Sequence, residues 1–327
     1  MRRLWRLSLT TPSTRCLSPL KYPRPQESLI SPATGTNARP SRRRLRDAAG
    51  TLILIGGGTT ATGPAIGGFV EMTRAKEDAP IVGLTTASSQ VGVARDMWLA
   101  DLRQAGATNV SIPLVENRDH ASDQKIVEQV RTASGIFIGG GDQVKLVSAL
   151  SGTPLEEAIR DAYIDGAIIC GTSAGAAALT KTTLAGNEVD EEGKLVEQYI
   201  GPGLGLLGYH TLIDTHFTQR RRLYRLFVAV AEFPALMGLG IDEDTALIVR
   251  REIGTVVGNG GVTFVDGSSV RFNNATDVTK GHELTISALR VGIIGTGQQF
   301  NLKRREVQAL LSPPAAREVE NRVTSAR

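Results

Sequence analysis

Ala167-Ile168-Ile169-Cys170-Gly171-Thr172-Ser173-Ala174-Gly175-Ala176-Ala177-Ala178-Leu179 passes from an unbroken apolar run, through Gly-x-Ser-x-Gly, into an alanine-rich stretch. Apolar residues in succession, without polar alternation, describe a strand buried on both faces, and such a strand needs a sheet covered by helices on each side. The alanines that follow are the strongest helix formers. A strand that becomes a helix within one or two residues strains the backbone at the turn and crowds its neighbours, so Gly171, Ala174 and Gly175 must be small. Ser173 then projects from the turn, with the helix amides directed at charge developing beside it. A serine that only caps the helix is the plainer reading of these five residues. The strand before, the helix after and the small residues throughout favour a nucleophile.

Working outward, the same grammar repeats. Apolar runs at 52–55, 81–85, 110–115, 135–138, 167–170, 211–214, 246–249 and 255–257 alternate with helix-like stretches, and several end in glycine. Short buried strands joined by crossover helices make an α/β three-layer sandwich with a mostly parallel central sheet. After Gly254 the glycines thicken, and Asn259-Gly260 and Asp266-Gly267 read as hairpin turns, so the last third is expected to add antiparallel pieces to the same domain. The domain is expected over residues 49–311. Residues 1–48, rich in Arg, Ser, Pro and Thr without apolar periodicity, read as a basic extension that forms no packed element, and residues 312–327, opening on Pro313-Pro314, as a frayed tail.

Hydrophobic residues make up 41% of the 327 and charged residues 21%, enough apolar matter for a real core. The net charge of +4 invites a nucleic-acid reading, but its distribution removes it. Residues 1–48 hold ten Arg and Lys21 against Glu27 and Asp47, a net +9, which leaves −5 for everything after. The body is mildly acidic, and nucleic acid is not an expected partner. No apolar run approaches the 18 or so residues of a membrane helix. The basic extension has the composition of an organelle transit peptide, yet an overlong translation start is the plainer account, and it lacks the apolar stretch of a secretory signal. A cytoplasmic protein is expected. Cys16 and Cys170 give no disulfide framework.

A second turn, Gly139-Gly140-Gly141-Asp142-Gln143, also ends a strand and opens a helix. Ligands in open α/β sheets gather at the carboxyl ends of strands, so both turns are expected on one crevice, with the backbone amides of Gly141 and Ala174 as an oxyanion hole. Gly56-Gly57-Gly58 and Gly139-Gly140-Gly141 as phosphate loops are the competing reading, but neither completes a dinucleotide or Walker motif. Of the four histidines, His216 follows a strand end, as a general base beside Ser173 must. His120 stands in a polar loop, His210 enters a strand and His282 lies near a late turn. An imidazole base needs a carboxylate to fix its tautomer. Glu243 suits, while Asp242, Asp244 and Asp190-Glu191-Glu192 are rivals that spacing leaves open. Arg222 and Arg225, three apart on one helix face, are placed to grip a substrate carboxylate with paired hydrogen bonds.

Four ordered motifs, Gly139-Gly140-Gly141-Asp142-Gln143, Gly171-Thr172-Ser173-Ala174-Gly175, Asp214-x-His216-Phe217-x-Gln219-Arg220-x-Arg222-Leu223-x-Arg225-Leu226 and Gly240-Ile241-Asp242-Glu243-x-Thr245-Ala246, resemble the cyanophycinase family. These are serine peptidases related to peptidase E and to class I glutamine-amidotransferase-like, flavodoxin-like folds. The resemblance spans roughly residues 50–265. It implies a Ser173, His216, Glu243 triad and a pocket lined by Gln143, Asp214, Arg220, Arg222 and Arg225. It also implies cleavage of cyanophycin, a polyaspartate bearing arginine on its β-carboxyls, to β-Asp-Arg dipeptides through an acyl-enzyme, with no metal or organic cofactor, in a homodimer. One position departs. Polymer-degrading members carry Gln beside the histidine, and here stands Thr215, which keeps open a peptidase of other β-aspartyl or acidic peptides. A non-catalytic binding protein on the same scaffold is the reading from a different class.

Overall fold

The strand β1 (Thr51–Ile55) sorts its side chains alternately to two sides, and that alternation organises the molecule. Leu52 and Leu54 join one buried cluster, with Leu146, Leu150, Leu155 and Ile159. Ile53 and Ile55 join the opposite one, with Ile66, Phe69, Trp98 and Leu102. The computed structural model describes residues 50–74, 80–189, 195–278 and 283–308. The expected extension at 1–48 and tail at 312–327 lie outside these residues.

In chain order β1 is followed by α1 (Pro64–Arg74), β2 (Ile81–Leu84), α2 (Val91–Gln104), β3 (Val110–Ser111), α3 (Gln124–Arg131), β4 (Gly135–Ile138), α4 (Gln143–Leu150), α5 (Pro154–Ile164), β5 (Ile168–Thr172) and α6 (Ala174–Ala177). The helix starts are written in the sequence. Asp123 and Asp142 cap α3 and α4 by accepting from the second helical amide, and Thr153 caps α5 with Pro154 at its first position. Next come β6 (Thr182–Val189), β7 (Leu195–Pro202), β8 (Thr211–Thr215), α7 (Leu223–Glu232), β9 (Met237–Ile241), β10 (Thr245–Arg250), β11 (Ile253–Gly258), β12 (Val262–Asp266), β13 (Phe272–Asn273), α8 (Ala275–Val278), β14 (Ile286–Ser287), β15 (Arg290–Ile294), β16 (Gln299–Asn301) and β17 (Glu306–Val307).

The main sheet has the order β17-β16-β11-β10-β1-β5-β4-β2-β3. From β1 to β3 every neighbour is parallel, whereas β10, β11, β16 and β17 extend the sheet antiparallel. Helices on both faces give the three layers. Each Leu, Ile or Phe so buried contributes about 1.5–3 kcal/mol relative to exposure. A second sheet, β15-β12-β9-β8, pairs β8 parallel to β9 and the rest antiparallel.

All eight expected runs contain strands, although the run at 110–115 pairs only over Val110–Ser111 and the run at 211–214 belongs to the second sheet. Antiparallel additions are present in the last third, yet not as hairpins at the expected turns. At Asn259-Gly260 the chain leaves β11 in the main sheet for β12 in the second. Asp266-Gly267 leads to β13, which pairs with β14. Asp266 accepts from the Ser268 N–H at 3.1 Å, a side-chain-closed turn that redirects the chain without pairing its flanks.

Candidate active site

At the carboxyl end of β5, Ser173 adopts φ 52° and ψ −120°, outside the ordinary regions for a residue with a side chain. Such strain costs about 1–3 kcal/mol. It is held by Ser173 N–H donating to Ile55 O at 2.9 Å and by the Ala176 and Ala177 N–H groups donating to Ser173 O at 3.0 Å. A Cβ on Gly175 would lie 2.2 Å from Ile138 O, so glycine alone lets α6 start against β4. The Ser173 side chain makes no capping bond; its Oγ lies 2.8 Å from His216 Nε2.

His216 comes from the second sheet. It follows β8 at φ 49°, and its N–H donates to Gly56 O at 2.7 Å, which fastens the end of β8 to the end of β1. Its Nδ1 lies 2.6 Å from Glu243 Oε1. A carboxylate only accepts, so Nδ1 carries the hydrogen and Nε2 presents its lone pair to the serine hydroxyl. The imidazole is 12% exposed and the Glu243 side chain 38%, so water reaches the carboxylate more than the imidazole.

Gly57 and Gly58, read from sequence only within a rival phosphate loop, are part of this arrangement. A Cβ on Gly57 would lie 2.2 Å from His216 Cε1, and one on Gly58 2.8 Å from Glu243 Cβ. Gly57 O also accepts Asp244 N–H at 2.9 Å. The strand-end glycines thus make room for the His216 imidazole and the Glu243 carboxylate. A glycine triplet at the carboxyl end of β1 was the available signal, although its partners lie far along the chain.

The rival residues are otherwise engaged. Asp242 accepts from Thr218 and Gly261, and Asp244 accepts from Asn259. His120 Nδ1 accepts Glu116 N–H at 3.3 Å, and His210 precedes β8 at the end away from His216. Asp190-Glu191-Glu192 and His282 lie outside the described residues. Cys170 is buried in β5, and burial pushes its thiol well above the usual range.

The turn after β4 runs beside the elbow: a Cβ on Gly140 would sit 3.1 Å from Ser173 Cβ. Gly141 follows at φ 141°. Ala174 begins α6, so its N–H has no acceptor within the helix. Gln143 Nε2 donates to Leu184 O on β6. Asp214, 2% exposed, accepts from Arg222 Nη1 at 3.2 Å and from Arg225 Nε at 2.7 Å, with a further bond from Arg225 Nη2. Arg222 Nη1 also donates to Thr215 O at 2.7 Å. The arginines expected to face substrate therefore first enclose a buried carboxylate, and the cluster keeps one net positive charge. Burial draws the Arg222 guanidinium below its ordinary value; Asp214 opposes that, while Arg225 and Arg220 add to it, which puts the exposed Arg220 within electrostatic reach. Among the described residues no group of three or more His, Cys, Asp or Glu is placed to hold a metal ion, and no helix is long and apolar enough to cross a membrane.

The family model described as Peptidase family S51 matches residues 52–257. A cyanophycinase of Geminocystis herdmanii is 33% identical to this chain over 71% of its length and 86% of the relative's. A cyanophycinase of Synechococcus elongatus is 34% identical over 75% of this chain and 80% of the relative's. Among solved structures, a peptidase from an acI-B1 Actinobacterium shares the fold, with a TM-score of 0.58 at 22% identity over 77% of this chain and 97% of that one.

Proposed function

The chain belongs to peptidase family S51, and from that premise we propose that it is a cyanophycinase, hydrolysing the polyaspartate backbone of cyanophycin to β-Asp-Arg dipeptides through an acyl-enzyme on Ser173. The observation that carries the reading is the continuous hydrogen-bonded line Ser173 Oγ, His216 Nε2, His216 Nδ1, Glu243 Oε1, at 2.8 and 2.6 Å.

In this reading His216 removes the Ser173 proton as Oγ attacks the scissile carbonyl, and Glu243 stabilises the imidazolium without taking its proton. The oxyanion meets the N–H groups of Gly141 and Ala174. His216 then protonates the leaving amine, and a water activated by the same imidazole releases the acyl group. The Asp214, Arg222, Arg225 cluster, with Arg220 and Gln143, lines the acid-binding side of the pocket, where a net positive charge suits a substrate carboxylate, in cyanophycin the free carboxylate of the branch arginine because the aspartyl β-carboxyls are amidated. The reading includes a cytoplasmic homodimer; light scattering on the purified protein checks the stoichiometry.

A second substrate reading, other β-aspartyl or acidic peptides, is favoured by Thr215. Its residue is 4% exposed, and it reaches less far than the Gln of polymer-degrading relatives. Wild type and Ser173→Ala are incubated with insoluble cyanophycin, and soluble β-Asp-Arg is sought by mass spectrometry. Release by wild type alone supports the polymer and the nucleophile together. A folded wild type that labels with fluorophosphonate but releases nothing rules out the polymer, and β-aspartyl dipeptides become the substrate to assay. No labelling at all returns the binding-protein reading.

A further inference from the structure

His216 and Glu243 stand on different loops, and neither is held by its own side chain alone. His216 sits in the left-handed region, and Glu243 offers a carboxylate that packing does not enclose. Each loop nevertheless sends a side chain to the other's backbone. From the His216 loop, Gln219 Oε1 accepts the Glu243 N–H at 3.1 Å. From the Glu243 loop, Asp242 Oδ1 accepts both the Thr218 N–H at 3.1 Å and the Thr218 hydroxyl at 2.7 Å, while Oδ2 accepts the Gly261 N–H at 3.1 Å.

We propose that Gln219 and Asp242 form a reciprocal clasp that positions Glu243 against His216, making both of them positioning residues for the serine chemistry. The inference rests on the serine-peptidase reading and deepens it. The Glu243 N–H needs an acceptor, which fixes the Gln219 amide with oxygen toward it and makes the bond specific to an oxygen at that place. Asp242 ties the turn after His216 to the start of β12 through one carboxylate, and charged acceptors form the stronger bonds. Losing either arm lets the Glu243 loop drift from the 2.6 Å contact, which frees the imidazole to take the wrong tautomer. Both residues bond to backbone beside the triad and act through it, so their loss falls on kcat rather than on KM.

The test compares fluorophosphonate labelling of Ser173 and peptide hydrolysis in wild type, Gln219→Met and Gln219→Glu, with thermal melts of each. Methionine keeps the volume and removes the acceptor, whereas glutamate keeps the acceptor. The expected result is labelling slowed at least tenfold in Gln219→Met, with kcat falling and KM steady, and labelling within about threefold of wild type in Gln219→Glu. Wild-type labelling in Gln219→Met overturns the inference, as does equal slowing in both variants, because packing rather than the acceptor would then matter. Should Gln219→Met not fold, Asp242→Ala, which removes the acceptor of both Thr218 bonds, reads the other arm, slower labelling supporting the clasp and unchanged labelling refuting it. A wild type that does not label refutes the serine-peptidase reading itself, and the clasp with it, a result distinct from any difference between variants.

Discussion

Gly57→Ala adds one methyl group against the His216 ring, at the closest approach of the β1 turn to it. The new Cβ lies 2.2 Å from His216 Cε1 and 2.4 Å from Nε2. Carbon atoms rest at about 3.5–4.0 Å, so the ring must retreat by more than about 1 Å. The Ser173 Oγ to Nε2 distance of 2.8 Å then exceeds hydrogen-bond range. Misplacing a reacting group by about 1 Å costs about 100-fold, and complete loss of the base about 10⁶-fold, so turnover should fall between these limits. Gly57 is also at φ 94°, where a side chain adds a backbone penalty of about 1–2 kcal/mol. That is small beside the stability of a domain this size, so the variant should fold. Circular dichroism verifies folding, and the rate of fluorophosphonate labelling reads the site. A folded Gly57→Ala protein that labels at the wild-type rate would refute the placement of His216 against the end of β1, and with it the account of why that turn is glycine.

Glu243→Gln preserves shape but offers Nδ1 a donor as readily as an acceptor, and kcat should drop about 10⁴-fold with KM nearly unchanged in steady-state kinetics. Thr215→Gln introduces a longer amide beside His216; a single neutral hydrogen bond is worth about 0.5–1.5 kcal/mol, so the ratio of cyanophycin to β-aspartyl dipeptide turnover should rise up to about tenfold. Arg305→Met removes the guanidinium bonded at 2.6 Å to the Asp266 carboxylate, 1% exposed, and leaves it Arg290 at 3.7 Å and the Ser268 amide and hydroxyl, so urea titration should show a loss of about 1.5–3 kcal/mol, partly recovered by adding Asp266→Asn. Burial pushes the Asp266 carboxyl up, but the Ser268 amide and hydroxyl and Arg305 outweigh it and hold it below its ordinary value. Its stabilising contribution is therefore fully present above the unfolded value near about pH 4 and is lost as pH falls through the lowered one, a loss that urea midpoints measured across acid pH should resolve in wild type and not in Asp266→Asn.

The buried parallel strands were legible because near-continuous apolar runs ending in glycine admit few other structures, and the elbow because small residues around one serine carry a steric message. Strand β9 was not. Met237-Gly238-Leu239-Gly240-Ile241 has the glycine content of a turn, yet a Cβ on Gly238 would lie 2.6 Å from Leu226 and one on Gly240 2.4 Å from Phe217. Those glycines let α7 and the His216 turn press onto the strand, a tertiary demand that outweighs local propensity. Similarly, the turn signals at Asn259-Gly260 and Asp266-Gly267 were real, but which sheet each flank joins depends on partners far along the chain. Spacing offered three acidic residues at 242–244 equally, and only their hydrogen-bond partners distinguish them. Pairing Asp214 with both arginines was likewise invisible, since a motif of charged residues looks the same whether its members face substrate or one another.

Ser173 is delivered by one sheet and His216 by another, and the two meet where His216 N–H reaches Gly56 O. Reactivity is therefore a clock on assembly. When the chain refolds from denaturant, far-ultraviolet ellipticity reports the strands of each sheet, whereas labelling of Ser173 requires the seam between them to be closed. A lag of labelling behind ellipticity would measure the time the second sheet takes to dock, and coincident signals would mean that the two sheets form and join in one step.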